Sequence, residues 1–311
     1  MPPPMISIIT PCLNRAEFVR EAVQSVLDQN YTSVEHIIID AGSTDGTLDF
    51  LREYSHLRVV SEPDEGMYDA LNKGIRMAQG EIIGLLNTDD LYAPGCFEEV
   101  IRVFGENPTA LAVCGGTVTF KDRNGVREKV RHAPAIAPDE LWYRLIQGHP
   151  ATNAWFFKRE VFEMAGYFDH RYRYAADRYF LIRIALDNDI RPVPVHRELY
   201  YYRQHSGSAT VTMLDSRDPE HGLLRIRILW EDITALESFL IRNTLPADVR
   251  RRMRREHGER CYRLVATALY HHRSTEAYNA AMHGFKVSFF WPLIFIQMAT
   301  RRLRKEIANH E

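Results

Sequence analysis

The segment Gly80–Tyr92, GEIIGLLNTDDLY, concentrates the residues of this chain best suited to chemistry. An apolar run, Ile82-Ile83-Gly84-Leu85-Leu86, ends abruptly in Asn87-Thr88-Asp89-Asp90. That is the pattern of a buried strand delivering two adjacent carboxylates to its C-terminal end. Successive strand side chains point to opposite faces, so Asp89 and Asp90 need not act alike. One can hold a metal while the other orients its neighbour or a hydroxyl. Adjacent carboxylates repel unless a cation or a proton relieves them. A plain turn after a strand, where Asp is common, is the structural alternative.

Other strands must bring further polar groups to the same edge. Ile6–Thr10, Val34–Asp40, Leu57–Ser61 and Glu81–Leu86 read as strands; Arg15–Gln29, Asp45–Tyr54 and Met67–Gln79 read as helices. Such alternation predicts a largely parallel sheet with helices on both faces, whose ligands bind beyond the C-terminal strand ends. Three of those ends are polar: Thr10-Pro11-Cys12-Leu13-Asn14, Asp40-Ala41-Gly42-Ser43-Thr44-Asp45-Gly46, and Asn87-Thr88-Asp89-Asp90. Further on, Ala110–Phe120 and Val126–Val130 read as a hairpin around Asp122-Arg123-Asn124-Gly125. Ala154–Lys158 reads as a strand, with helices at Arg159–Ala165 and Asp177–Leu186. After Asp218 strand patterns vanish, and Gly222–Asn243, Ala247–His271 and Thr275–His310 read as helices. The expected organisation is a domain over 1–215 and a helical C-terminal region over 216–311.

At 311 residues, with 45 % apolar and 26 % charged residues, the chain has the composition of a soluble globular protein. Its net charge of −2 hides an asymmetry. The region from Ser216 carries 17 Lys and Arg against 11 Asp and Glu, and the preceding part is net acidic. The four cysteines are scattered without a CxxC pair, so reduced thiols are expected rather than a zinc site or disulfide framework. The N-terminus MPPPMISIIT has no secretory-signal pattern, and no uninterrupted apolar run reaches the length of about 18 residues that a spanning helix needs.

Taken together, ISIITPCLNR, SVLDQNY, IIIDAGSTDGT, EPDEGMYDALNKGIRMAQGEIIGLLNTDD, AGYFD and YAADRYFLIRIA occur in the order seen in bacterial family-2 inverting glycosyltransferases. The chain resembles that family from about Met5 to Ser208. The resemblance implies a GT-A fold, a Rossmann-like mixed sheet flanked by helices, here with an all-α C-terminal extension. It implies a hexosyltransferase moving sugar from a nucleotide-diphosphate donor to a hydroxyl of a glycan or lipid-linked glycan in surface polysaccharide biosynthesis. On that resemblance Thr10, Pro11 and Asn14 lie at the nucleoside, Asp40 binds it and Asp45 supports the donor site. Gly42 and Gly46 permit close backbone approach; a helix-capping turn is compatible with the same residues. Asn72 and Lys73 lie on a helix near the nucleotide, or on a solvated face. LNTDD stands where the family carries its DXD metal signature, with Asn87 replacing the first acid. Asp89 is then the expected ligand of Mg²⁺ or Mn²⁺, joined by Thr88 at the donor and by Asp90 and His205 as further candidate ligands. Asp177 matches the catalytic base, although a helix-capping Asp would look the same. His149 falls on the acceptor side, and Arg203, His205, Ser206 and Ser208 resemble a mobile phosphate-contacting segment.

The tail segment Phe285–Met298 is rich in Phe, Trp and Ile and is followed by Arg301, Arg302, Arg304 and Lys305. It fits a peripheral membrane anchor or a helix packed on protein, including a second subunit of a homodimer. The expected place is the cytoplasm, at the inner face of the cell membrane if the anchor operates. The Arg250–Arg255 cluster is a solvated face or meets phosphate, and nothing suggests a nucleic-acid partner. A nucleotidyltransferase would need a Gly-rich, basic loop after the first strand, which TPCLNR does not supply. A non-catalytic nucleotide-sugar-binding protein would have no need of Asp177.

Overall fold

The computed structural model describes residues 3–123, 126–147, 152–205, 207–208, 218–242, 244–287, 291–293 and 296–300. Asn124, Gly125, His149, Ser206 and the basic residues after Thr300 lie outside them. The chain divides into two compact units, Met1–His205 and Ser206–Glu311.

The first unit is built on one mixed sheet. β1 (Ile6–Cys12), β2 (Val34–Asp40), β3 (Leu57–Ser61) and β4 (Ile82–Leu85) pair in parallel, with β1 between β2 and β4. The connecting helices are α1 (Val19–Leu27), α2 (Thr47–Leu51) and α3 (Met67–Met77). β1 and β4 are buried at every residue, as strands covered on both faces must be. α1 turns Val19, Ala22, Val23 and Val26 inward at helical spacing.

Beyond β4 the chain forms β5 (Leu91–Tyr92), α4 (Cys96–Glu106), β6 (Ala112–Arg123), β7 (Val126–Ala133), α5 (Leu141–Ile146), β8 (Trp155–Lys158), α6 (Glu160–Ala165), α7 (Ala176–Asp187) and β9 (Val193–Arg203). The sheet order is β3-β2-β1-β4-β8-β6-β9-β5, with β7 attached to β6. β8 runs antiparallel to both β4 and β6, so the sheet changes from parallel to mixed at that point. β5 pairs with β9, with Tyr92 opposite Tyr200. The chain leaving β4 therefore crosses from mid-sheet to its outer edge within residues 86–90. That crossing places Asn87–Asp90 beside the end of β9.

The strand boundaries agree with the apolar runs to within a few residues. α4 is absent from the expectations above, although Phe97, Val100 and Phe104 form an inward stripe. β5 has only two residues and no periodicity to read.

The second unit contains α8 (Pro219–Leu240), α9 (Ala247–Tyr270) and α10 (Ser274–Val287). Ile226, Leu229 and Ile233 meet Cys261, Leu264, Ala268, Ala277, Ala280 and Trp291 in its core. Buried polar side chains are paired: Arg260 with Asp232 at 3.0 Å and with Glu256, and His257 with Glu237 at 2.9 Å. Of the expected helix Thr275–His310, the described residues are helical over α10, at 291–293 and at 296–300, and the remainder lies outside the described residues.

Gly84 tests the closeness of the sheet core. A Cβ there would come within 2.6 Å of Phe156, 2.8 Å of Ile8 and 2.8 Å of the Tyr92 hydroxyl. Gly84→Ala is expected to cost about 1–3 kcal/mol, read as a lower midpoint in urea unfolding.

Candidate active site

The loops after β1 and β2 are stitched together by side chain to main chain hydrogen bonds. Asn14 Oδ1 accepts from Thr44 N at 2.9 Å, and the Asn14 amide donates to Ser43 Oγ at 2.7 Å. Asp45 accepts from Ala16 N at 3.0 Å and from Thr47 N at 3.1 Å, while Thr47 Oγ1 accepts from Arg15 N at 2.9 Å. Gly42 and Gly46 have φ of +89° and +93°, conformations that a side chain would strain.

Asp40 is fully buried at the root of this structure. Its carboxylate accepts from Gly42 N and Ser43 N, both at 2.9 Å, from Ser61 Oγ at 2.7 Å and from Ser43 Oγ. Burial alone would raise the carboxyl, but these donors hold it below its ordinary range. Asp45 is likewise lowered, chiefly by the Thr47 hydroxyl. Asp40 therefore organises the loop from within rather than presenting an open carboxylate. Thr10 is also enclosed, its hydroxyl hydrogen-bonded to His36 Nε2 at 2.9 Å, and Pro11 is buried in β1.

After β4 the exposure alternates: Asn87 and Asp89 stay partly accessible, while Thr88 and Asp90 are buried. Asp90 Oδ2 accepts from the Tyr200 hydroxyl at 2.7 Å and from Asn87 Nδ2 at 3.1 Å, and Oδ1 accepts from Arg203 N at 2.8 Å. Burial, reinforced by the charge of Asp89, pushes the Asp90 carboxyl up to about 8 despite those donors. Asp89 takes a different partner, its Oδ2 lying 3.0 Å from His205 Nε2. The His205 ring packs on Phe18 at 4.7 Å between centroids. Asp89 and His205 are the residues that could hold a cation. Among the described residues they are not joined by a third His, Cys, Asp or Glu to make a protein-only metal cluster. Asp90 belongs to the scaffold behind them.

Arg203 is buried and committed to protein partners. Its Nε donates to Asp89 O at 2.9 Å, and its guanidinium pairs with Glu21 at 3.0 Å and with Asp122. Asn72 clamps the backbone of Phe168, donating to its carbonyl at 2.8 Å and accepting from its amide at 3.0 Å. Lys73 pairs with Glu62 at 3.0 Å and donates to Pro63 O at 2.8 Å. All three residues are engaged with protein partners.

Asp177 sits in the first turn of α7. It accepts from Arg178 N at 2.7 Å, from Thr152 Oγ1 at 3.2 Å and from the Tyr68 hydroxyl. Burial dominates and raises the carboxyl above its ordinary range. Tyr68, Thr152 and Tyr200 are absent from the residues singled out in the sequence. Tyr68 and Asn72 are spaced i, i+4 on α3, so one helix face reaches both Asp177 and the Phe168 backbone.

Comparison with known proteins identifies the class. The family model for glycosyl transferase family 2 matches residues 7–168. The chain belongs to glycosyl transferase family 2, and it spans a little under two thirds of the length of EpsJ, a curated relative that it matches. It is 27 % identical over 218 residues to the glycosyltransferase EpsJ of Bacillus subtilis, covering 67 % of this chain and 63 % of EpsJ. It is 32 % identical over 189 residues to a PGL/p-HBAD biosynthesis glycosyltransferase of Mycobacterium tuberculosis, covering 59 % of this chain and 70 % of that one. In fold it is similar to S. aureus TarS 1-349, solved with UDP-GlcNAc, with a TM-score of 0.53 at 16 % identity over 93 % of this chain and 92 % of that one. The mannosyltransferase PcManGT from Pyrobaculum calidifontis, solved with GDP-Man and Mn²⁺, gives a TM-score of 0.51 at 19 % identity over 91 % and 87 %. The first unit thus has a GT-A-like fold.

Tyr68→Phe removes a donor that favours the ionised form of Asp177. The Asp177 titration, followed by carboxyl ¹³C NMR and assigned with Asp177→Asn, is expected to move to higher pH.

Proposed function

We propose that this chain is a metal-dependent, inverting glycosyltransferase that moves a hexose from a nucleotide-diphosphate sugar to a hydroxyl of a glycan or lipid-linked glycan. The observation that carries the reading is the Asp89–His205 contact at 3.0 Å, which joins the end of β4 to the residues after β9 at the strand-end edge. A carboxylate and an imidazole from separate elements suit a Mg²⁺ or Mn²⁺ ion that takes its remaining ligands from the donor diphosphate and water. Asn87 in place of an acid lowers the charge offered to a cation, so affinity for the ion in the absence of nucleotide would be low. When bound, it would neutralise the charge that develops on the diphosphate leaving group.

The donor lies along the ends of β1, β2 and β4. The Asn14 and Ser43–Asp45 loops, held by Asp40, form the nucleoside end, and Thr88 and Asp89 face the diphosphate. Arg203 fixes the backbone at Asp89 and so orients that carboxylate. Asp177 is the general base. Its raised basicity suits removal of a proton from the acceptor hydroxyl as that oxygen attacks the anomeric carbon opposite the leaving group. The C1–O bond to the diphosphate breaks as the bond to the acceptor forms, and the nucleoside diphosphate leaves. Thr152 and Tyr68 hold the carboxylate in place. A relative named for PGL/p-HBAD biosynthesis supports a role in a biosynthetic sugar transfer.

Asp177→Asn is expected to lower transfer at least about 100-fold, with donor affinity by calorimetry unchanged; near-normal turnover would remove Asp177 as the base. EDTA is expected to abolish nucleoside diphosphate release from UDP-GlcNAc or GDP-Man, whichever the enzyme accepts, and Mn²⁺ to restore it. A rate indifferent to both additions would count against the cation.

A further inference from the structure

The second unit carries an apolar face that its own core does not use. α10 packs inward through Ala277, Ala280 and Gly284. On its other side Tyr278, Met282 and Phe285 are 65 %, 49 % and 50 % exposed, at the i, i+4, i+7 spacing of one helix face. Further along the sequence Leu293 is 62 % and Ile296 60 % exposed. Trp291 is pinned to the bundle: its ring lies where a Gly284 Cβ would stand, and its Nε1 donates to Gly258 O at 3.1 Å. The face is therefore presented from a packed base. Contiguous exposed apolar surface of this kind marks an interaction site.

Charge selects the occupant. Between Glu276 and Glu306 the sequence contains no acid, yet it carries Lys286, Arg301, Arg302, Arg304 and Lys305. Lys286 is exposed beside Phe285. A second copy would bring the same excess of cations with no acid from this stretch to offset them, and like-charge juxtaposition is costly. An anionic lipid surface matches both features, with acyl chains for the apolar side chains and phosphate headgroups for the cations. No helix among the described residues is long and apolar enough to cross a membrane, so the fitting geometry is a helix lying in the interface.

We propose that the Tyr278–Met282–Phe285 face of α10, with Leu293 and Ile296, docks the protein on an anionic lipid bilayer as a peripheral contact. The cations steer and hold the approach, and the apolar side chains enter the headgroup boundary. A lipid-linked acceptor would then reach the enzyme by diffusion in two dimensions.

The test is vesicle flotation of the full chain, which requires neither donor nor acceptor and so stands or falls apart from the transfer reading. Vesicles with about 30 % phosphatidylglycerol in phosphatidylcholine should carry the protein upward, and pure phosphatidylcholine should do so at least about tenfold less. Tyr278→Glu with Met282→Glu should abolish flotation while the circular-dichroism melt confirms that the fold is kept, because neither side chain belongs to the core of the bundle. Replacing Arg301, Arg302, Arg304 and Lys305 by Gln should weaken flotation and its salt dependence while the apolar face stays intact. Failure to float with anionic vesicles, or flotation indifferent to the Glu pair, overturns the proposal. So does sedimentation showing a dimer that the Glu pair dissolves without any change in lipid binding.

Discussion

The Asp90 carboxylate has no access to solvent and must be satisfied from within the protein. Its donors come from three places: Asn87 in its own turn, the Tyr200 hydroxyl in mid-β9, and the main chain at the last residue of β9. Only one relative placement of the β4 end and the β9 end meets all three. Tyr200 also accepts from Asn87 N at 3.3 Å and Asn153 Nδ2 at 3.0 Å, which ties the segment before β8 to the same point. Asp89 and His205 flank this knot, Asp89 preceding Asp90 and His205 following Arg203 by two residues. Their contact is a consequence of how Asp90 is buried.

The same economy recurs at the other strand ends. Residues with the polarity of ligand contacts often serve the frame. Asp40 closes the loop that contains Gly42, Asn72 holds the backbone at Phe168, and Arg203 bridges Asp89, Glu21 and Asp122. Each is buried, and unpaired buried polar groups are costly, so each has found a partner inside the protein. What stays accessible along Asn87–Asp90 is the alternate pair Asn87 and Asp89. A signature motif here thus records construction as much as contact.

This explains which parts of the site were readable from residue order. β1 to β4 are continuous apolar runs bounded by turn residues, and the polar ends that share one edge follow directly from their parallel order. Local stitching, such as Asp45 with Thr47, lies within a few residues and leaves a visible pattern. The Tyr200–Asp90 bond spans 110 residues, and Tyr200 looks like any strand aromatic among Tyr201 and Tyr202. Tyr68 follows a loop of charges and reads as one more inward residue of an amphipathic helix. Its approach to Asp177 depends on the packing of α3 near the start of α7, which no local period encodes.

Three carboxylates in this unit share the penalty of burial, and their surroundings send them in different directions. Asp40 receives two main-chain amides and two hydroxyls with no acid adjacent in sequence, and the donors prevail over burial. Asp90 has three donors but also the charge of Asp89, and burial prevails. Asp177 has an adjacent amide, two hydroxyls and the nearby Arg178 charge, and burial still prevails. A carboxylate favoured as the anion makes a rigid brace, whereas one held partly against ionisation is reactive toward a proton. Asp90 cannot use that reactivity, because it is closed off by Tyr200, Asn87 and the Arg203 amide. Asp177 keeps partial exposure in the first turn of α7. Of the three, it alone combines a raised carboxyl with partial exposure.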